Sequence, residues 1–203
     1  MLGSYTVQDV LIIVICLIIS ITIHEMMHAY VGYKLGDTTA LEQGRLSLNP
    51  LQHIDPFTTI LLPIITLVLF HAPFLAAKPV PFNPLRVKYD EYGAALIALA
   101  GPVTNLVLAF LTALVARNFV LGSLAADVVS TFIVINVVLF VFNMIPIPPL
   151  DGSRVLYAFA PEGLQRIMAQ IEPMGFFIII ALVLLGFGNA LVQLNQWVLQ
   201  LLP

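Results

Sequence analysis

Charge is what this sequence has least of. Asp, Glu, Lys and Arg make up 9% of its 203 residues against 60% hydrophobic, and the mean hydropathy is +1.02. A soluble domain with so few charges lacks the polar surface to stay in water, so the composition indicates an all-α polytopic membrane protein. The 8 basic residues are outnumbered by 11 acidic ones, which leaves no basic patch for nucleic acid. Cysteine is reduced to Cys16. That excludes an internal disulfide and a thiolate zinc cage, and Cys16 reads as small apolar filler in a helix. No basic region and no small-residue cleavage site precede the first apolar run, so the expectation is a retained membrane helix and not a cleaved signal. No polar stretch suffices for a soluble domain, and residues 1–203 read as one membrane-embedded core.

Long apolar runs are what the sequence does have. They cover about 7–34, 57–76, 92–116, 128–145 and 173–186, the last continuing to 202 across Gly186 and Gly188 as one broken helix or as two. This predicts five or six transmembrane helices. There is no internal repeat of the transporter kind. Gly36 is a natural C-cap for the first run. Residues 40–49 contain the alternation Arg45-Leu46-Ser47-Leu48, closed by Asn49-Pro50, which predicts a small β element. Pro63 predicts a kinked or re-entrant second run. Lys78, Arg86 and Lys88, among Pro79, Pro81 and Pro84, mark an extended polar linker. Residues 153–171 read as a short interfacial helix. If the second run crosses fully, Lys78, Arg86, Lys88, Arg154 and Arg166 face Lys34, Arg45 and Arg117 across the bilayer, which favours a cytoplasmic N-terminus.

Chemistry enters in the first run, where His24, Glu25 and His28 stand among Ile, Leu and Val. Residues 10–33 as a helix span about 36 Å at ~1.5 Å per residue, enough for a hydrocarbon core of ~30 Å. Histidines four positions apart lie on one helix face, with Glu25 on a neighbouring part of it. In the H-E-x-x-H arrangement two imidazoles chelate one zinc ion, and the carboxylate handles the proton of a water. The alternative is a buried, hydrogen-bonded histidine pair. Against it stands the ~2.5–3.5 kcal/mol that an ionisable group costs at mid-membrane depth, since three sit together here.

A catalytic zinc usually takes three protein ligands. Asp151 is the best candidate for the third, because it follows Pro146, Pro148 and Pro149, and Gly152 permits an unusual turn beside it. Non-helical backbone at this depth is tolerated only where it is packed in protein or lines a wet cavity. The alternative for Asp151 is the N-cap of the following segment. A metal short of one ligand favours the first reading. Of the remaining histidines, His53 and His71 default to surface or interhelical roles. His53, beside Asp55, is the better candidate for gating or accessory work.

His24-Glu25-Met26-Met27-His28, together with Asn143-x-x-Pro146-x-x-x-x-Asp151-Gly152, resembles the paired signature of the site-2 protease family, which are intramembrane zinc metalloproteases. Gly101-Pro102-Val103-Thr104-Asn105 resembles a family element on the helix between them. Gly44 to Pro50 with His53-Ile54-Asp55-Pro56 resembles the short bacterial and archaeal members, which lack extra soluble domains. The likeness runs from about residue 7 to 170. It implies that His24, His28 and Asp151 bind one zinc, that Glu25 is the general base, and that Asn105 and Asn143 hold substrate backbone or the developing oxyanion. For each asparagine a helix–helix hydrogen bond is the alternative. The expected activity is cleavage of a peptide bond in or near a transmembrane segment of a membrane-protein substrate. The expected place is the prokaryotic cell membrane, as a multi-pass protein in the lipid bilayer. The segment at Gly44 to Leu48 could pair with the unwound substrate as an added strand. The competing class is a zinc-binding transporter or scaffold. A transporter should offer ionisable groups at several depths, whereas here they gather at one level.

Overall fold

The computed structural model describes residues 6–53 and 80–203. Helix α1, Val7–Lys34, opens with a capping box: the Asp9 N–H donates to the Thr6 hydroxyl at 3.2 Å and the Thr6 N–H to the Asp9 carboxylate at 2.9 Å. It closes where expected. The Gly36 N–H donates to Tyr33 O at 3.1 Å and the Asp37 N–H to Gly32 O at 3.0 Å, with Gly36 at φ +101°. This is a Schellman closure, and the left-handed residue is strained for anything with a Cβ.

The segment after it differs from the sequence expectation. Residues 40–49 hold no strand: α2, Thr39–Glu42, is followed by tight turns and a 3-10 turn at Pro50–Gln52. Local bonds take the backbone instead. The Arg45 N–H donates to Ala40 O at 2.8 Å, and the Leu51 N–H to the Asn49 side chain at 3.1 Å. A four-residue alternation with no partner strand among the described residues cannot satisfy a ladder. The second apolar run, with Pro63, Asp55 and His71, lies outside the described residues, and so does Lys78 in the orientation count.

The proline-rich linker is tied back to the end of α1 through buried Asp37. Its carboxylate accepts the Asn83 N–H at 2.6 Å, the Thr39 N–H at 3.0 Å and the Thr39 hydroxyl at 2.5 Å. Burial pushes this carboxyl up. The Thr39 hydroxyl, the amides of Asn83 and Thr39 and the Arg86 charge outweigh it and hold the group below its ordinary value. The Lys88 N–H closes the same junction on Leu35 O at 2.9 Å.

Helices α3, Asp90–Asn118, and α4, Ser123–Asn143, follow; with α1 they are the three described helices long and apolar enough to cross a membrane. α3 is central and packs on α1, α4 and α5, Asp151–Phe159. Its buried face explains this: Gly93, Ala95, Ala98, Gly101, Ala109 and Ala113 let neighbouring backbones come close. Polarity is turned inside out. Val10, Leu11, Val14, Ile15, Val103, Val107, Phe110 and Val138 are exposed, whereas Ser20, His24, Glu25, His28, Asn105 and Asn136 are buried. Water would select the opposite arrangement, and lipid selects this one.

The expected interfacial helix is two, α5 and α6, Glu162–Ile171, because Pro161 restricts Ala160 to extended backbone. Arg154 pairs with Glu172 across them. The last run is one broken element. α7, Gly175–Leu182, passes through a π-helical stretch, Val183–Phe187, with Gly186 at φ +94°, into α8, Gly188–Leu201. α8 packs on α4, placing Val198 against Ala109, Val137 and Val141. Of the five or six expected crossings, the described residues supply three helices of sufficient length, and the second run lies outside them.

Candidate metal centre

α1 carries His24, Glu25 and His28 at helical spacing, and all three are buried. α3 crosses them at Gly101. A Cβ there would stand 2.6 Å from His24 Cε1 and Nε2, and closer still to His28 Nε2. The third side arrives from the turns after α4. Gly152 lets α5 begin flush against them, since a Cβ at 152 would meet Ile145 O at 2.8 Å and Met144 O closer still. The role of Gly152 is therefore space; its φ is not positive. Asp151 is the first helical residue, and Leu150 is the N-cap with no side-chain cap bond. The carboxylate instead faces the two imidazoles.

Hydrogen bonds decide what those rings offer. The His28 Nδ1–H donates to Ile97 O at 2.6 Å, and since a backbone carbonyl only accepts, that nitrogen carries the proton. The His24 Nδ1–H donates to Asn105 Oδ1 at 2.5 Å. In the neutral rings both Nε2 atoms then present lone pairs, and they face each other at 3.0 Å. Asp151 Oδ2 lies 3.3 Å from His24 Nε2 and 3.4 Å from His28 Nε2. Three acceptors at such distances repel unless a cation lies among them. Two ligands of a tetrahedral zinc with bonds of ~2.0–2.1 Å stand about 3.3 Å apart. The donor set, its spacing and the space kept by Gly101 fit a zinc ion, with Nδ1–H bonds orienting both imidazoles. Among the described residues no other group of His, Cys, Asp and Glu offers three such atoms together.

The comparisons with known proteins agree with this chemistry. The model of peptidase family M50 matches residues 120–186. "Putative zinc metalloprotease YwhC" of Bacillus subtilis is 41% identical over 186 residues, covering 87% of this chain and 82% of its own. The chain belongs to peptidase family M50, the site-2 protease family. "Putative zinc metalloprotease MJ0611" of Methanocaldococcus jannaschii is 33% identical over 156 residues, covering 75% of this chain and 74% of its own. "Putative zinc metalloprotease Rip2" of Mycolicibacterium smegmatis is 29% identical over 189 residues, 91% and 68% respectively. No solved structure matches the chain. As an M50 member it is a metalloendopeptidase, and its apolar helices make it a membrane protein.

Within this M50 site Asn105 makes the helix–helix hydrogen bond expected as the alternative, and Asn143 bonds within its own helix. Both ends of the Asn105 amide are engaged: Oδ1 accepts from His24, and Nδ2 donates to Asn136 Oδ1 at 2.8 Å. It supports a ligand candidate. Asn143 Nδ2 donates to Leu139 O of its own helix at 2.9 Å. His53 is buried and donates through Nε2 to Ser47 O at 2.8 Å. It is not one of the three residues whose ligand atoms converge. Buried Arg45 lies on the same loop and donates to Gln52 O. Ser20 and Asn136, both fully buried behind Asn105, belong to no motif that sequence reading singled out. The available signal was polarity itself: a Ser and an Asn inside apolar helices need partners.

Proposed function

We propose that this M50 chain is a zinc-dependent intramembrane endopeptidase, with one zinc per chain held by His24, His28 and Asp151 and with Glu25 as general base. One observation carries the reading: three acceptor atoms converge beside a buried carboxylate, inside helices whose outer surface is apolar. Zinc, when bound, supplies Lewis acidity toward water and toward a peptide carbonyl.

The remaining work falls to the chain. Among the described residues no hydrogen-bond donor occupies the Glu25 carboxylate, which leaves it free to take the proton of an attacking water and pass it to the leaving amide nitrogen. Asn105 and Ile97 O hold the two imidazoles with their Nε2 lone pairs inward. Gly101 carries no Cβ into the space beside the two imidazoles, and Gly152 lets α5 start close against the turns that follow α4. The substrate is a membrane-protein segment whose carbonyls must first leave their own helical hydrogen bonds. Exposed apolar faces of α1, α3 and α4 suit a multi-pass protein, and relatives from bacteria and an archaeon point to a prokaryotic cell membrane.

The test is Glu25→Gln in purified protein reconstituted into liposomes with a labelled single-span peptide. Zinc should stay stoichiometric while cleavage is lost, and sequencing the wild-type products locates the scissile bond. Cleavage by the variant removes Glu25 from its role. Zinc binding by the wild type without any cleavage restores the transporter or scaffold reading.

A further inference from the structure

Behind the ligand candidates lies a chain of amides that joins α1, α3 and α4. Ser20, Asn105 and Asn136 are each 0% exposed. Asn136 Nδ2 donates to Phe132 O at 2.8 Å and to the Ser20 hydroxyl at 2.8 Å. Phe132 O can only accept, so it pins the amino end of this amide on its own side. Asn136 Oδ1 then has to face Asn105 and accepts its Nδ2–H at 2.8 Å. That turns Asn105 Oδ1 toward His24, where it accepts the Nδ1–H at 2.5 Å. The Phe132 carbonyl thus bears, through two amides, on which nitrogen of His24 carries the proton, with Ser20 O adding a longer contact of 3.5 Å to Asn105 Nδ2.

We infer that Asn136 is a positioning residue for the metal centre: by fixing the orientation of the Asn105 amide it fixes His24 in the tautomer whose Nε2 lone pair points at Asp151 and His28. The inference rests on reading His24 as a zinc ligand. Without Asn136 the Asn105 amide keeps only the long 3.5 Å bond from Nδ2 to Ser20 O and can turn over. Its amino group would then face His24 Nδ1, and the ring would move its proton to Nε2, where a metal has to bind. The bland alternative is interhelical glue, indifferent to the tautomer.

A double-mutant cycle separates the two. Zinc affinity is measured by chelator competition on detergent-purified protein for wild type, Asn136→Leu, Asn105→Asp and the double variant. A carboxylate at position 105 accepts through either oxygen, so no orientation is wrong and the anchor becomes dispensable. With Asn105 intact, Asn136→Leu should weaken zinc binding about 10–100-fold, the usual effect of losing a partner behind a ligand. In the Asn105→Asp background the loss should be under about threefold. The cycle cancels what the carboxylate adds independently of residue 136; its repulsion with Asn136 Oδ1 is relieved by the leucine, so in that background the second substitution leaves affinity nearly unchanged or raises it. Equal losses in both backgrounds, or none in the first, overturn the inference. Should Asn136→Leu not fold, Asn136→Ser, too short to reach Asn105, takes its place with the same two outcomes. As a second readout, ¹⁵N-histidine NMR of the zinc-free wild type should show His24 protonated at Nδ1; protonation at Nε2 overturns the inference. A wild type that binds no zinc refutes the metal reading itself and is distinguishable from both results.

Discussion

Replacing Gly101 by Ala tests the centre at its tightest point. The added Cβ stands 2.6 Å from His24 Cε1 and Nε2 and closer still to His28 Nε2, where relaxed carbon contacts lie at about 3.5–4.0 Å. The rings must withdraw by about 1 Å, while metal–ligand distances tolerate only about ±0.2 Å. At least one imidazole is lost to the metal, so zinc affinity should fall about 100-fold or more. The helix does not suffer for intrinsic reasons, since Ala is favoured over Gly by about 1 kcal/mol in a helix interior. Zinc-free variant and wild type should therefore unfold at similar temperatures. With free zinc at 100 times the wild-type Kd, the wild type gains about 2.7 kcal/mol of stability, and a variant bound 100-fold more weakly gains about 0.4. Chelator competition and thermal unfolding with and without zinc measure both quantities. Affinity within about threefold of wild type, with equal zinc-induced stabilisation, would refute the placement of the metal beneath Gly101.

Gly152→Ala should lower zinc affinity about tenfold or more at unchanged helix content, because a Cβ 2.8 Å from Ile145 O and closer to Met144 O pushes the start of α5, and Asp151 with it, off the turns; unchanged affinity breaks that link. Asp37 predicts an acid limb. Its folded carboxyl lies below the unfolded value of about 3.9, so its contribution is complete above that pH and is lost as pH falls through the folded value. Asp37→Asn should flatten that limb in thermal unfolding followed against pH, and parallel limbs for the two proteins would count against the account.

How far the sequence could be read depended on the distance over which the information is carried. The His24–Glu25–His28 face and the stop at Gly36 are local, set within one or two turns of α1, and they were legible. The alternation at Arg45–Leu48 was equally local and misled, because a strand exists only when another pairs with it. Asn105 was legible as a buried polar group that must be satisfied; that its partners are His24 and Asn136 was not. Ser20 and Asn136 left only the trace of polarity within apolar helices.

By itself, then, the sequence determined the solvent and the chemistry. Sparse charge demanded lipid, and a helical repeat placed two imidazoles and a carboxylate on one surface. Only the tertiary structure brought the Asp151 carboxylate beside His24 and His28, across more than 120 residues of chain. The physical reason is that such a contact depends on how closely α3 approaches α1 at Gly101 and how tightly α5 starts against the turns after α4 at Gly152, and the meaning of both glycines appears only once the neighbouring backbones are in place.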